Sequence, residues 1–122
     1  MENFSFQRLE TYRVSIDFVK DVYSVTNSFP ESERYGLSSQ VRRAAVSISS
    51  NIAEGVSRIS DKEKSHFIEI SYGSLMEVLC QMEISKDIGY ITEKKFEEIE
   101  LKIKRLSKLL TSLRHNYLSR KT

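Results

Sequence analysis

Apolar residues recur along the chain with helical spacing, and the regularity is greatest in its last third. Steps of three and four residues alternate there over three heptads, through Phe96, Ile99, Ile103, Leu106, Leu110, Leu113 and Tyr117. So narrow a seam is typical of helices that pack nearly parallel to their neighbours in a bundle. The pattern predicts a helix over about 93–118, with Thr92 as its N-cap.

The first helix of the chain is predicted over about 8–28. One apolar stripe follows it at alternating three- and four-residue steps, formed by Leu9, Tyr12, Ile16, Val19 and Tyr23. An amphipathic helix turns such a stripe towards a core. Pro30 ends the helix, because proline disfavours helical geometry in the residue before it and lacks the amide hydrogen that a helix needs.

The second helix is predicted over about 38–57. Ser38 can begin it, because a serine hydroxyl accepts a hydrogen bond from the first free amides of a helix. Its apolar face consists of Val41, Ala44, Ala45, Ile48 and Ile52. The alanines are small, so another helix can approach closely at this point.

The third helix is predicted over about 61–88, between a capping box at Ser60 and Glu63 and a stop at Gly89. It carries apolar residues on two sides: Phe67, Ile70, Val78 and Ile88 on one, and Ile68, Tyr72, Leu75, Leu79 and Met82 on the other. This arc is wider than one partner helix requires, so we expect burial within the subunit and against a neighbouring copy. Gly73 lies in the helix interior, where glycine costs about 1 kcal/mol relative to alanine, and we expect a close helix contact there.

Together these elements predict an all-α fold. One proline and four glycines in 122 residues leave long helices uninterrupted, and the length fits a single domain over 1–122. The short connections after the second and third helices make neighbours antiparallel, which gives an up-down-up-down four-helix bundle. Leu101, Leu109 and Leu118 lie off the seam of the last helix and favour self-association.

The charge is unevenly distributed, although the formal net charge is only +2. All 17 acidic residues lie within the first hundred positions, whereas seven basic residues and no acid follow Glu100. Such asymmetry indicates an anionic partner. It is equally consistent with a basic helix that pairs with an acidic one, in the same bundle or in a neighbouring subunit.

The residues with the right chemistry for a nucleic-acid-binding site are Arg42, Arg43, Lys104, Arg105, Lys108, Arg114, Arg120 and Lys121. Lys104, Arg105 and Lys108 fall on outward positions of the last helix. Cations placed in this way neutralise phosphates without regard to base sequence and with a strong dependence on salt. Arg42 and Arg43 enlarge the patch if their helix lies beside the last one, or if several subunits form a ring.

A polar line follows one edge of the second helix at three- or four-residue steps, and its members are Arg43, Ser47, Asn51, Glu54 and Arg58. Glu77 of the third helix can pair with the same edge. Partly buried polar groups need hydrogen-bond partners. The line is therefore either a network that fixes the register of the helices or a surface that contacts a ligand or nucleic acid, and both interpretations stay open.

The residue pattern gives no support to catalysis. Glu63 and His66 have the Glu-x-x-His spacing of a di-metal site, but the second such pair that this class requires is missing. No serine or cysteine lies beside a histidine in the manner of a nucleophile and its base, and the glycine-rich phosphate motifs are absent. We expect no enzymatic activity, no metal and no cofactor.

Charged residues interrupt any apolar run in the first twenty positions, which argues against a signal peptide or a transmembrane span. We expect a cytoplasmic protein with no membrane partner. Cys80 is the only cysteine, so no intrachain disulfide can form. We expect it to be a small, buried, apolar side chain.

Several short motifs stand between Leu37 and Glu77: Gln40-Val41-Arg42-Arg43-Ala44-Ala45, Ser47-Ile48, Asn51-Ile52-Ala53-Glu54-Gly55 and Gly73-Ser74-Leu75, with Gly89-Tyr90-Ile91 further on. In these motifs the chain resembles the bacterial four-helix bundle proteins known as 23S ribosomal RNA intervening-sequence proteins. The resemblance covers essentially the whole chain. Ser49 and Ser71 depart from the family pattern, in which proline and alanine are common at those positions.

The resemblance implies an up-down bundle that assembles into a cyclic pentamer. It also implies kinship with the accessory protein of diversity-generating retroelements, a pentameric barrel that binds nucleic acid and a reverse transcriptase. We therefore expect a homo-oligomeric accessory protein that binds RNA or DNA, with ribosomal RNA as one target and a nucleic-acid-processing protein as a further partner. The alternative is an oligomeric scaffold that binds protein and has no nucleic-acid role.

Overall fold

The computed structural model describes residues 4–120 and contains four long helices. These are α1 (Glu10–Thr26), α2 (Leu37–Val56), α3 (Asp61–Asp87) and α4 (Glu93–Leu118). Two short 3-10 helices, Ser5–Arg8 and Glu31–Glu33, precede α1 and α2, and there is no strand among the described residues. The predicted all-α fold is confirmed. The largest difference in helix bounds is at α1, which is two residues shorter at each end than the apolar pattern predicted.

The core is formed by apolar faces of all four helices, and two of these faces are the predicted ones. The apolar face of α2 is buried at every predicted position, and the seam of α4 is buried except at Leu113, which is half-buried. Ile68, Leu75, Val78 and Met82 of α3 complete the interior between these two helices. Burial of large aliphatic side chains on this scale is the main favourable contribution to folding.

The predicted core stripe of α1 is wrong. The buried side of α1 consists of Thr11, Ser15, Phe18, Val22, Val25 and Thr26, whereas the predicted stripe is only half-buried and Tyr23 is 41% exposed. Thr11 and Ser15 made this side look polar in the sequence. The Ser15 hydroxyl is nevertheless satisfied inside the protein, because it donates to the Tyr12 carbonyl at 2.6 Å and lies 2.8 Å from the Ser49 hydroxyl. A hydroxyl with partners is buried at little cost.

Each helix contacts two others. The closest packing is between α2 and α3, where the Ser71 hydroxyl donates to the Ile48 carbonyl at 2.7 Å. On the other side of the core, Lys102 of α4 forms a 2.9 Å ion pair with Asp21 of α1. Within residues 4–120, no Cα atom of α1 lies within 8 Å of one in α3, and none of α2 lies within 8 Å of one in α4. The helices therefore surround the core in the order α1, α2, α3, α4.

The N-caps of α3 and α4 are the predicted ones. The amides of Glu63 and Lys95 donate to the hydroxyls of Ser60 and Thr92, both at 3.1 Å. The stop after α3 is also confirmed, since Gly89 adopts a φ of 89°, which other residues rarely adopt.

The predicted cap of α2 is wrong, because Ser38 lies inside the helix and is buried. Glu33 takes its place. One carboxylate oxygen of Glu33 accepts the Leu37 amide at 3.1 Å, and the other accepts the Tyr90 hydroxyl at 2.8 Å. Tyr90 lies in the connection between α3 and α4, so this carboxylate joins the start of α2 to a distant part of the chain.

The two helical glycines differ in their surroundings. A Cβ atom on Gly55 would lie 2.7 Å from the Phe67 Cβ and 3.2 Å from the Lys64 carbonyl oxygen, so glycine permits the close approach of α2 and α3. A Cβ atom on Gly73 would meet nothing within 4 Å. The close contact predicted at Gly73 is therefore absent within the described part of the chain.

Replacing each glycine by alanine separates packing from helix propensity. We expect Gly55→Ala to lower the free energy of unfolding by about 1–3 kcal/mol, because the added methyl group overlaps α3. In Gly73→Ala the same group enters open space, and the gain in helix propensity raises stability by about 1 kcal/mol in the monomer. Urea unfolding of both variants at a concentration where the chain is monomeric measures the difference. Equal effects would contradict the geometry at Gly55.

The cap formed by Glu33 depends on pH. Donation by the Leu37 amide, followed by that from the Tyr90 hydroxyl, lowers the pKa of Glu33 below its ordinary value. A carboxyl whose pKa is lower in the folded state stabilises the fold above its unfolded-state pKa, and this contribution is lost as the pH falls through the folded-state pKa.

We therefore expect Glu33→Gln to be less stable than wild type at neutral pH, and the deficit to shrink as the solution is acidified. Urea midpoints measured over this pH range give the deficit at each value. The matched control is Glu31→Gln, because Glu31 is exposed and its one ion pair among residues 4–120 is with Arg34, at 3.6 Å. If both variants lose the same stability at every pH, the cap does not have the role assigned to it.

Candidate nucleic-acid interface

The predicted nucleic-acid-binding residues form two groups that the chain keeps apart. Lys104, Arg105 and Lys108 lie on the outer side of α4, whereas Arg42 and Arg43 belong to α2. Because α2 and α4 lie across the core from each other, with no Cα atoms within 8 Å among residues 4–120, the two groups do not form one patch on a single chain. The hypothesis that Arg42 and Arg43 enlarge the basic patch because α2 lies beside α4 is therefore wrong. The other condition, a ring of several subunits, is not decided by a single chain.

The outer side of α4 presents three exposed cations within little more than one turn. Positions 104, 105 and 108 lie on one side of a helix because residues three and four apart are neighbours. Lys104 is 3.9 Å from Glu100, with its side chain 66% exposed, and such an exposed pair contributes little energy and leaves the ammonium accessible. Arg105 and Lys108 form no ion pair within the described part of the chain.

The basic residues at the end of α4 pair with α3. Arg114 lies 3.3 Å from Glu69, and Arg120 lies 3.2 Å from Asp61 while its guanidinium covers the ring of Tyr117. Lys121 lies outside the described residues. These contacts match the second interpretation of the charge asymmetry, in which a basic helix pairs with acids of the same protein. The pairing accounts for Arg114 and Arg120 but not for the cations on the outer side of α4.

Arg42 and Arg43 are neighbours in sequence with different surroundings. The Arg42 guanidinium donates to the Thr26 hydroxyl at 2.7 Å and to the Asn27 side-chain oxygen at 2.9 Å, and it lies 4.6 Å from the centre of the Tyr23 ring. Arg42 thus fastens α2 to the end of α1. Arg43 is exposed and forms no hydrogen bond or ion pair with the described residues.

The polar line of α2 makes contacts along most of its length. The Ser47 hydroxyl lies 3.0 Å from the Ser74 hydroxyl of α3 and accepts the Asn51 side-chain amide at 3.1 Å. Glu54 accepts from Arg58 at 2.7 Å, one turn away on the same helix. The contact between Ser47 and Ser74 crosses from α2 to α3, which is what a network that fixes helix register requires.

Glu77 does not join that line. It is exposed, forms no ion pair within residues 4–120, and lines a groove of about 500 Å³ between α2 and α3 together with Arg43 and Ser47. Gln81 lies in the same groove and is buried, yet its side-chain oxygen has no hydrogen-bond partner in the described structure. Buried polar groups without a hydrogen-bond partner are uncommon in protein interiors.

Part of the wide apolar arc predicted for α3 is uncovered in the described structure. Ile70, Ile84 and Ile88 are 40%, 45% and 52% exposed. Cys80 is exposed as well, so the expectation of a buried cysteine is wrong. The reason is that Cys80 lies on the outer side of α3, one turn from Ile84 and Glu77, where no other helix of the described chain packs. The wide apolar arc of α3 was the signal for this surface.

The described residues contain no group of three histidine, cysteine, aspartate or glutamate side chains placed to hold a metal ion. Likewise, no helix among them combines the length and apolar composition needed to cross a bilayer. The candidate binding features of the described surface are the outer cations of α4 and the uncovered apolar and polar side chains of α1, α2 and α3.

These features define an all-α protein of four helices with a basic outer surface on the last one. The chain matches the 23S rRNA-intervening sequence proteins over residues 7–112, and it belongs to that family. A search of curated protein sequences gives no match. Among solved structures, the chain is similar to a protein of unknown function from the S23 ribosomal protein family of Bacteroides thetaiotaomicron. The TM-score is 0.79 at 23% identity, over 85% of this chain and 97% of the other, which shows a shared fold.

The two arginines of α2 can be separated by substitution. We expect Arg42→Ala to lower the free energy of unfolding by about 1–2 kcal/mol, because two charge-assisted hydrogen bonds to the end of α1 are lost. Arg43→Ala has the same change in composition and charge but removes no contact within the described chain, so its stability should stay within about 0.5 kcal/mol of wild type. Urea unfolding measures both, and equal losses would refute the distinction.

Proposed function

We propose that this protein is a non-enzymatic, homo-oligomeric accessory protein of the cytoplasm that binds nucleic acid, with structured RNA such as ribosomal RNA as its target. The observation that carries the proposal is the cluster of Lys104, Arg105 and Lys108 on the outer side of α4. Its members are exposed, and Arg105 and Lys108 form no ion pair within the described residues, although Arg105 lines a groove with Asp17 and Asp21 of α1. Phosphate oxygens are the natural partners of such cations.

Three cations on one chain bind a polyanion weakly. Repetition of the chain overcomes this weakness, because several linked patches engage one nucleic acid at a high effective concentration. Our proposal is therefore a cyclic oligomer, a pentamer by analogy with the resemblance drawn above, in which the α4 clusters of several copies act together. Leu101 and Leu118, which are 67% and 53% exposed, and the uncovered side of α3 support self-association.

We also infer that the helices form an up-down-up-down bundle. The inter-helix contacts support this arrangement, because the end of α2 packs on the start of α3, as the approach of Gly55 to Phe67 indicates. Likewise, the end of α4 pairs with the start of α3 through Arg120 and Asp61. In such a bundle the outer side of α4 faces away from α2, so the cations remain free for a polyanion while α2 is engaged elsewhere.

A protein-binding scaffold without a nucleic-acid role is the second candidate. It is favoured by the ion pairs of Lys102, Arg114 and Arg120 with acids of α1 and α3, which use much of the basic character of α4 inside the chain. In this case the exposed apolar residues recruit a protein partner. The two candidates differ in how binding responds to salt, because counterion release makes phosphate binding weaken steeply as salt rises.

The test replaces Lys104, Arg105 and Lys108 together by glutamate. We expect this variant to lose binding to a structured RNA and to a DNA duplex while keeping the oligomeric mass of wild type. Each cation that contacts phosphate makes the slope of log affinity against log salt steeper by roughly one unit. The slope for wild type should therefore be steeper than that for any residual binding by the triple variant, by about two to three units. Fluorescence anisotropy over a salt series measures both quantities.

The matched control makes the same change in charge elsewhere, with Lys62, Lys94 and Lys95 replaced by glutamate. These residues lie in the first turns of α3 and α4, where acidic residues suit the helix dipole. The control should keep most of the affinity of wild type. If wild type binds neither nucleic acid at low salt, the scaffold is the better description; if both variants lose binding equally, net charge matters and the α4 cluster does not.

A further inference from the structure

Two helical seams are left partly uncovered by the residues that the structure describes, although Phe6 of the first 3-10 helix packs on Tyr12 at one of them. The first lies on α1, where Tyr12, Ile16 and Val19 form an open groove of about 290 Å³ with Val46 and Ala53 of α2. We call this surface the α1–α2 groove. The apolar stripe that the sequence predicts for the core of α1 is the wall of this groove, and it is only half-buried.

The second seam lies on the outer side of α3. Ile70, Gly73, Glu77, Cys80 and Ile84 alternate at three- and four-residue steps, which is the spacing that packs one helix against another, and all five are exposed. We call this surface the α3 ridge. Its two isoleucines lie at the ends, with Glu77 at the centre and the small residues Gly73 and Cys80 on either side of it. Gly73 in particular leaves room for the backbone of another helix, since a Cβ atom there would touch nothing within 4 Å.

We propose that the α3 ridge of one copy docks in the α1–α2 groove of the next copy. The inference rests on the self-association proposed above and assigns the two surfaces that produce it. The lining of the groove runs from Tyr12 to Val19, about 11 Å along α1, which accommodates about two turns of the α3 ridge; the whole ridge from Ile70 to Ile84 extends about 21 Å. An apolar helix face in an apolar groove is a common mode of recognition between proteins.

Charge decides against a ridge that pairs with a second ridge. Glu77 stands at the centre of the α3 ridge, so a twofold contact between two ridges would place Glu77 against its own copy, and like charges repel at an interface. The groove offers the opposite charge. Arg13 and Lys20 lie one turn before and one turn after Ile16, are exposed, and form no ion pair within residues 4–120. Docking in the groove brings these cations towards the carboxylate of Glu77, which has no cationic partner within residues 4–120.

The placement of the surfaces gives the type of assembly. A contact between two unlike surfaces is heterologous, and it continues from copy to copy until it closes. The groove lies between α1 and α2, and the ridge lies on α3, so the two surfaces are on neighbouring sides of the chain and not on opposite ones. Successive copies therefore turn about an axis, and a ring forms when this rotation closes, with the outer cations of α4 left free.

The experiment uses two variants that each damage one surface, Val46→Glu in the groove and Ile84→Glu on the ridge. Both positions are already 41% and 45% exposed, so a charged side chain is tolerated in the monomer. In size exclusion with light scattering we expect each variant alone to be monomeric. An equimolar mixture should give a particle of twice the monomer mass, because one intact ridge meets one intact groove and the remaining two surfaces are blocked.

Ile59→Glu is the matched control, since Ile59 is 99% exposed in the connection between α2 and α3, outside both surfaces, and its variant should keep the mass of wild type. Gly73→Leu guards against a folding defect, because it replaces a helix-disfavouring residue where the monomer has room. It should be monomeric with undiminished thermal stability, and it should form the same dimer with Val46→Glu.

Three outcomes would overturn the inference. If Val46→Glu, Ile84→Glu and Gly73→Leu all keep the oligomeric mass of wild type, other surfaces form the interface. If they dissociate but their mixtures stay monomeric, the groove and the ridge do not bind each other. In both cases the proposed oligomer stands and only its interface is wrong. A monomeric wild type at the highest soluble concentration would overturn the oligomer and its interface together.

Discussion

The close packing of α2 on α3 is the contact on which the other features depend. Gly55 allows the two backbones to approach, and the Ser71 hydroxyl, bonded to the Ile48 carbonyl, holds them in register inside the core. The connection between these helices is only four residues long, so neither helix can slide without breaking that register. α1 then packs against α2, and α4 packs against α3. As a result α1 is kept apart from α3, and α4 is kept apart from α2.

This arrangement places different chemistry on different sides of the protein. Lys104, Arg105 and Lys108 cluster on the outer side of α4, whereas the uncovered apolar seams lie on α1 with α2 and on α3. Cations remain soluble without partners, whereas exposed apolar seams gain free energy when a second surface covers them. The same division gives the two halves of the proposed function: self-association through one set of surfaces and contact with a polyanion through another.

Hydroxyl groups in the core explain the main error of the sequence analysis. Ser15, Ser49 and Ser71 are buried because each has a hydrogen-bond partner, so the polar appearance of their helix sides does not report exposure. The side of α1 that faces the core therefore includes threonine and serine, and the apolar stripe beside it lies at the surface. An amphipathic pattern identifies a side that avoids water, but it does not identify which protein surface covers that side.

The sequence by itself determined the four helices, most of their ends and the apolar sides of α2 and α4, because helix spacing, caps and glycine stops act over a few neighbouring residues. It also held the family resemblance that the comparison over residues 7–112 confirmed. Only the tertiary structure decided which side of α1 is buried, that Glu33 caps α2, that Cys80 is exposed and that Arg42 and Lys108 lie on separate surfaces. These facts depend on which helices are neighbours around the core, and that order results from packing between residues far apart in the chain.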